Sequence, residues 1–332
     1  YRPKDFKGVL GQEHVTEVLK EAIKLGNVAH AYLFSGTRGT GKTSVARILA
    51  QEIGTSANDL YEIDAASNTS VENIRDLNES VTTLPFESKY KVYILDEVHM
   101  LSKSAFNALL KTLEEPPEHV VFVLATTEPE KIPETVISRC ESYTFKKPNQ
   151  TLLKEMIADT AKAEGFSLEP ASADLIALLG DGSFRDAQGV LQKVIHSSKD
   201  KKISSEEVQK VTGAPRGTLV NDYVESLAKS DIEKGMKAVA EAAEHNIDMK
   251  VYLKLILMKL RAVLLLRFAP KERDGLSEDF SGEDMKLLEG YAKDGKTISS
   301  DTLKRLLEAY EEVSFSHIPQ LPLEMALIDL TS

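Results

Sequence analysis

Five short apolar runs punctuate the first 148 residues: Ala31–Ser35, Leu60–Asp64, Val92–Asp96, Val120–Thr126 and Ser142–Phe145. Continuous apolar runs of this length predict strands buried on both faces, the habit of a parallel sheet covered by helices. Helical repeats fill the intervals. Thr43–Gln51 is one, and Phe106, Leu109, Leu110 and Leu113 mark another, with Ser104 as its N-cap and Pro116–Pro117 as its stop. After Pro148 the strand-like runs cease. Residues 149–213 predict three or four short helices, broken at Gly165, at Gly180-Asp181-Gly182 and at Thr212–Pro215. From Arg216 onward the pattern is helical again, strongest near 231–244, 248–268, 283–292 and 300–313, and in the closing IPQLPLEMALIDL. The expected plan is an α/β domain over 1–148, a small helical unit over 149–213 and a larger helical unit over 214–332. No repeat of fixed period interrupts it.

Composition narrows this plan. Lys and Arg number 41 against 52 Asp and Glu, a net charge of −11. A chain that coats nucleic acid nonspecifically needs the opposite excess, to neutralise phosphates. Trp is absent and aromatics make up 6%, too few for base-stacking platforms. One cysteine, Cys140, allows no internal disulfide and no multi-thiolate zinc site, and fits a reducing compartment. The most apolar stretch, 253–268, is broken by Lys254, Lys259, Arg261 and Arg267, whereas a bilayer span needs about 20 apolar residues in succession. No signal peptide opens the chain, which starts at Tyr1 without Met, so a few N-terminal residues are expected to be missing. These features predict a cytoplasmic protein without membrane association.

The chemistry concentrates in the first domain. Gly36-Thr37-Arg38-Gly39-Thr40-Gly41-Lys42-Thr43, followed by Ser44, fits the phosphate-binding pattern G-x-x-x-x-G-K-[ST] between a strand and a helix. Glycines let backbone N–H groups converge on phosphate oxygens, and the helix N-terminus adds its positive end. Lys42 is expected to reach the β/γ-phosphates and Thr43 to ligate Mg²⁺. The strand 92–96 ends in Asp96-Glu97, which suit a Mg²⁺ shell and a water-orienting base. Thr126-Thr127 ends the next strand, where a hydroxyl can sense the γ-phosphate or simply form a turn. Arg139, in Ser138-Arg139-Cys140, reads by itself as a surface residue. Ser183 caps a helix with Asp186 in its first turn, and Arg185 is free to face a nucleotide. His14, His30 and His99 lack metal-ligand spacing and read as structural. Glu114, Glu115 and Glu118 read as a solvated helix end.

Taken in order, Tyr1-Arg2-Pro3, VLGQEH, GTRGTGKTS, LDEVHMLS, LLKTLEEPP, LATTEP, ISRC and GSFRDA closely resemble the gamma/tau ATPase subunits of the bacterial replicative clamp loader, DNA polymerase III proteins of the AAA+ superfamily. The likeness is dense over 1–213 and returns in the last thirteen or so residues. It implies an AAA+ P-loop domain with a five-stranded parallel sheet, a helical lid and an all-α C-terminal collar for oligomerisation. It implies ATP and Mg²⁺ as ligands and ATP-driven loading of the sliding clamp onto primer–template DNA, within a pentameric assembly of sister subunits. Arg139 then becomes an arginine finger for the neighbouring subunit's site, Thr127, with Thr126 as the alternative, the first sensor, and Arg185 the second. Arg2, Val9 and Leu10 match the segment beside the adenine, and Arg75 and Lys103 match positions facing DNA. A longer form in this family reaches helicase and polymerase.

Two departures stand out. Asn68 and Ser70 occupy positions where relatives often carry basic residues, and only about Glu52–Asp59 stands where bacterial members usually insert a four-cysteine zinc module. No zinc is therefore expected. The shorter connection resembles archaeal and eukaryotic small subunits, whereas IDAASNTSVENIRDL and DEVHML favour the bacterial type. Another AAA+ DNA remodeller, of the branch-migration or recombination-linked kind, and a non-hydrolysing scaffold are the competing readings. The intact set Lys42, Thr43, Asp96 and Glu97 opposes the scaffold.

Overall fold

The computed structural model describes residues 2–67, 71–198, 200–280, 282–294 and 297–331. Its contacts divide the chain into two compact units, Tyr1–Leu153 with Gly180–Gln188, and Lys154–Leu179 with Gly189–Ser332.

In the first unit α1 (Glu13–Lys24) precedes β1 (Ala31–Ser35), followed by α2 (Lys42–Glu52), β2 (Leu60–Asp64), α3 (Val71–Val81) and β3 (Lys91–Asp96). Then come α4 (Lys103–Glu114), β4 (Val120–Thr126), the short α5 (Glu134–Ile137) and β5 (Glu141–Thr144). The five strands are parallel, in the order β2-β3-β4-β1-β5. Three of the five predicted strands start where their apolar runs start; β3 begins one residue early, at Lys91, and β5 is shifted by one toward the N-terminus. The helix over 103–114 is capped by Ser102, whose hydroxyl accepts from the Ala105 N–H at 3.1 Å, in place of the expected Ser104. Ser102 sits one residue before the first helical residue with extended backbone, as an N-cap must.

Side chains of alternate strand residues serve two apolar layers, because successive Cβ atoms point to opposite faces. Tyr32, Phe34, Ile94 and Val123 pack with Val15 and Leu19 of α1 and Val45 and Leu49 of α2. Leu33, Tyr93, Leu95 and Phe122 pack with Ile74 and Leu77 of α3 and Leu109 and Leu113 of α4. This double burial explains why the strands read as continuous apolar runs. Helix α8 (Phe184–Ser197) is described below for its first turn, which belongs to this unit.

The second unit takes α6 (Gln150–Ala163) from Lys154 onward, then α7 (Pro170–Leu179), the remainder of α8, and α9 (Ser205–Thr212). Two two-residue strands, β6 (Ser167–Leu168) and β7 (Lys202–Ile203), pair in parallel here; they are too short to leave an alternation in the sequence. Helices α10 (Gly217–Lys229), α11 (Ile232–Glu244), α12 (Met249–Phe268), α13 (Arg273–Asp279), α14 (Gly282–Asp294), α15 (Ser300–Glu312) and α16 (Leu321–Thr331) complete it. Their shared core holds Tyr223, Leu253, Ile256, Leu260, Leu306 and Leu327. The charges that interrupt α12 are accommodated locally. Lys259, 8% exposed, donates to Asn221 Oδ1 and Asp284 Oδ1, and Arg267 donates to the carbonyls of Tyr291 and Ala292 near the end of α14 and of Ile298 before α15. Among the described residues no helix is long and apolar enough to cross a membrane.

Candidate functional site

The loop Gly36–Gly41 leaves the C-terminal end of β1, between β4 and β5, and runs into the N-terminus of α2. Gly36, Gly39 and Gly41 have φ of 140°, 75° and 103°, which L side chains adopt at a cost. At Gly36 a Cβ would also stand 2.5 Å from the Phe145 carbonyl oxygen. Lys42 is 6% exposed, and its ammonium donates to the carbonyls of Gly36 at 2.6 Å and Thr37 at 3.0 Å. Burial pushes its pKa down, Glu97 and Asp96 push it back up, and Arg185 lowers it. Thr40 is buried with its hydroxyl on the Thr37 carbonyl at 2.9 Å. Ser44 lies in the first turn of α2.

The ends of β3 and β4 stand beside this loop because the sheet is parallel and in register. Ser35 pairs with Thr126, and Leu95 with Leu124. The Thr43 hydroxyl donates to Asp96 Oδ2 at 2.7 Å, while Asp96 Oδ1 accepts the Glu97 N–H at 3.0 Å. Glu97 has φ 50°, an uncommon left-handed backbone for a non-glycine residue, and its carboxylate accepts from the Thr127 hydroxyl at 3.0 Å. Thr126 is fully buried; its carbonyl accepts the Gly36 N–H at 3.2 Å. Thus Lys42, Thr43, Asp96, Glu97 and Thr127 converge at one end of the sheet.

Two further segments border the loop. Ser183 is buried and caps α8 by accepting the Asp186 N–H at 3.2 Å, as its sequence suggested. The Phe184 N–H donates to the Gly39 carbonyl at 3.0 Å, so the first turn of α8 rests on the Gly36–Gly41 loop. Arg185 is exposed, yet close enough to Lys42 to act on it electrostatically. From the N-terminal segment, Val9 is buried in the apolar layer that holds Val45 and Leu49, Leu10 is 38% exposed, and Arg2 is exposed. Tyr1, Asn68 and Ser70 lie outside the described residues.

Arg139 is elsewhere. It precedes β5, whose first residue, Glu141, pairs with Tyr32, four residues before Gly36. At the rise of a parallel strand this sets it about 13 Å or more from the loop, at the opposite end of the sheet. Its guanidinium donates to Glu114 Oε1 at 2.6 Å and to the Thr135 carbonyl at 2.7 Å, beside a cavity of about 670 Å³ lined by Ala31, Leu113, Glu114, Cys140 and Glu141. Burial pushes the Cys140 thiol up to about 12, as befits a packed residue and not a nucleophile. Arg75 and Lys103 are exposed on α3 and α4, helices that pack on each other, and neither meets the loop.

Several residues of the site carry no sequence signal of that role. Gln12 is fully buried; its amide bonds both backbone groups of Lys146 at 2.7 and 3.0 Å and approaches the Thr40 carbonyl at 3.5 Å. His99, which reads as structural, contacts Thr126 Oγ1 at 3.1 Å and Glu128 at 3.1 Å. Away from the site, Glu114 is exposed at its helix end as expected and also holds Arg139. Their partners are distant in sequence, so spacing alone does not reveal them.

Comparison with known proteins places this geometry in a lineage. The family profile described as "DNA polymerase III, delta subunit" matches residues 11–62 and 54–149, and "DNA polymerase III subunits gamma and tau domain III" matches 203–332. DNA polymerase III subunit tau of Bacillus subtilis is 35% identical across 99% of this chain and 62% of its own length. That of Escherichia coli is 36% identical across 99% of this chain and 54% of its own. DNA polymerase III subunit gamma of Buchnera aphidicola is 34% identical across 81% of this chain and 78% of its own. The chain therefore spans little more than half the length of the two tau subunits. The solved Thermotoga maritima RuvB Holliday junction branch migration motor superposes with a TM-score of 0.55 at 23% identity, covering 68% of this chain and 78% of its own, a likeness of fold.

Proposed function

The chain belongs to the DNA polymerase III gamma/tau family, and from that premise we propose that it is the ATP-hydrolysing motor subunit of a replicative clamp loader, opening a sliding clamp and loading it on primer–template DNA. The convergence of Lys42, Thr43, Asp96, Glu97 and Thr127 at the tips of three adjacent strands supports this reading most directly. The three-part division at 148 and 213 is proposed with it, supported at the C-terminal end by the domain III match over 203–332.

In this proposal the backbone N–H groups of Gly36–Thr43, including Thr37, Thr40 and the N-terminus of α2 with Ser44, receive the triphosphate. Lys42 gives up its carbonyl partners for phosphate oxygens, a favourable exchange for an ammonium held by neutral acceptors. Arg2, Val9 and Leu10 border the adenine. The hydroxyl and carboxylate oxygens of Thr43 and Asp96 are hard donors 2.7 Å apart, a set that fits Mg²⁺. When bound there, Mg²⁺ neutralises charge on the β- and γ-phosphates. Glu97 orients the attacking water, and Thr127 trades its bond to Glu97 for a contact near the γ-phosphate. Arg185 reports on the same phosphate from the first turn of α8.

Arg139 serves the site of an adjacent subunit, which its place at the far end of the sheet supports: a chain so built cannot offer this side chain to its own loop. The proposed partners are accordingly sister subunits in a pentamer, a clamp and primed DNA, with Arg75 and Lys103 on the DNA side. The net charge of residues 1–148 is −4 against −7 for the remainder, so the excess acidity lies mostly away from that side. No zinc is proposed, since the chain has one cysteine.

The test is ATP turnover by the chain assembled with its sister subunits. Stimulation that requires clamp and primed DNA together, with clamp recovered on the DNA, is expected. Strand movement without any clamp would instead favour a branch-migration motor.

A further inference from the structure

We propose that His99 is a positioning residue of the hydrolytic site, acting through Thr126 to hold Thr127 against Glu97; the inference rests on the ATPase reading above. The His99 side chain is 6% exposed, and both of its ring nitrogens are engaged. Nε2 lies 3.1 Å from Glu128 Oε1, and Nδ1 lies 3.1 Å from Thr126 Oγ1. The direction of the Nε2 bond follows from its partner. The Lys131 ammonium beside Glu128 holds its carboxyl below the usual range, so Glu128 is an acceptor only. Nε2 therefore carries the proton and donates. Nδ1 and the Thr126 hydroxyl stand within hydrogen-bond distance of each other, at 3.1 Å. Thr126 Oγ1 accepts the Glu128 N–H at 3.0 Å.

The closed set Glu128–His99–Thr126 fixes the residue that precedes Thr127. Thr126 is anchored on its other side by its carbonyl, which accepts the N–H of Gly36, the first residue of the phosphate loop. One peptide later the Thr127 hydroxyl reaches the Glu97 carboxylate. His99 Nδ1 is itself 3.5 Å from Glu97 Oε2, longer than an ordinary hydrogen bond, so the ring borders the carboxylate directly as well as holding the threonine pair that binds it. Placement of a water-orienting carboxylate is sensitive to shifts of about 1 Å, which cost on the order of 100-fold in rate. Removing the strut at His99 leaves the chain's phosphate contacts in place and loosens only the tip of β4.

His99→Phe keeps a buried ring and removes both bonds. His99→Asn keeps a polar atom near Nδ1. Thr126→Val removes the same bond from the other partner. In the assembled protein His99→Phe and Thr126→Val should lower single-turnover ATP hydrolysis by about 10- to 100-fold, with ATP affinity within about twofold of the parent. His99→Asn should recover most of the rate, and the double variant His99→Phe/Thr126→Val should be no slower than either single one. Crystal structures of the full-length variants give a readout that needs no turnover: the Thr127–Glu97 bond is expected to be lost in His99→Phe and retained in His99→Asn. Unchanged turnover with that bond intact, or equal losses in affinity and rate, would overturn the role of His99. If the parent assembly itself fails to hydrolyse ATP, the motor reading falls, and the Thr127–Glu97 bond in the variants decides His99 by itself. Should His99→Phe not fold, Thr126→Val and His99→Asn carry the same comparison.

Discussion

The Arg139 guanidinium is bound to the Glu114 carboxylate at 2.6 Å, at the end of the sheet away from the phosphate loop. Both groups are partly solvated, so the pair contributes only about 0.5 kcal/mol to stability and is readily exchanged for a stronger anion. Arg139→Ala should melt within a few degrees of the parent and bind ATP normally. Partner-stimulated hydrolysis should fall by about 10³-fold or more, the range for an arginine finger supplied by a neighbour. Fluorescent-nucleotide titration beside steady-state turnover checks this; matching losses in both would contradict service to a neighbouring site.

Glu97→Gln preserves size and an acceptor for the Thr127 hydroxyl while removing the charge proposed to orient water. ATP binding should persist and hydrolysis should drop by about 10²- to 10⁴-fold, the contribution usual for a general base. The assembly should accumulate with ATP bound, which rapid quench and nucleotide analysis by chromatography will reveal.

Gly39 admits no side chain. A Cβ there would lie 1.9 Å from Ser183 Oγ and 2.9 Å from Ser183 Cβ, at φ +75°. Gly39→Ala should cost about 1–2 kcal/mol from backbone strain alone, and ATP affinity should weaken by about tenfold. Ser183→Ala added to it relieves the nearest clash but leaves the β-carbon and the strain, so affinity should stay low. Isothermal titration of both variants measures this; parent-like binding by the single variant would show that the first turn of α8 yields easily.

Asp59 is fully buried, and burial by itself would raise its pKa. The N–H groups of Phe86, Glu87 and Ser88 outweigh that and hold it at about 2, below its ordinary 3.8. A depressed carboxyl stabilises the fold above its unfolded value and loses that contribution as pH falls from about 4 to 2. Asp59→Asn should cost about 2 kcal/mol at pH 7 and show a flatter acid limb over that window. Urea unfolding at several pH values tests both parts.

Cys140, with its thiol pushed up to about 12 by burial, should carry roughly a thousandfold less thiolate at pH 8 than a free cysteine. Iodoacetamide should label it slowly in the native chain and rapidly in urea. Prompt native labelling, followed by mass spectrometry, would argue against the packed environment.

Much of this protein is legible from its chain order alone. A strand buried on both faces of a parallel sheet becomes an apolar run, so Ala31–Ser35 and Val120–Thr126 announce themselves with their true limits. The phosphate loop is legible for a related reason: its glycines, Lys42 and Thr43 are consecutive, and their geometry is a property of one turn entering one helix. Asp96 and Glu97 are legible because they end a strand.

Tertiary structure decided the remainder, because it depends on which tips the sheet brings side by side. The strand order sets Thr126 next to Ser35 and so gives Thr127 to Glu97 and Thr126 to His99. It also carries Arg139 to the far end, beside Glu114, where sequence had suggested only a solvated helix end. Ser183 and Phe184 meet Gly39 across more than a hundred residues of chain, through a backbone bond that any residue type can make. Periodicity encodes which face of an element is apolar; it does not encode which polar atoms the folded sheet will bring within 3 Å of each other.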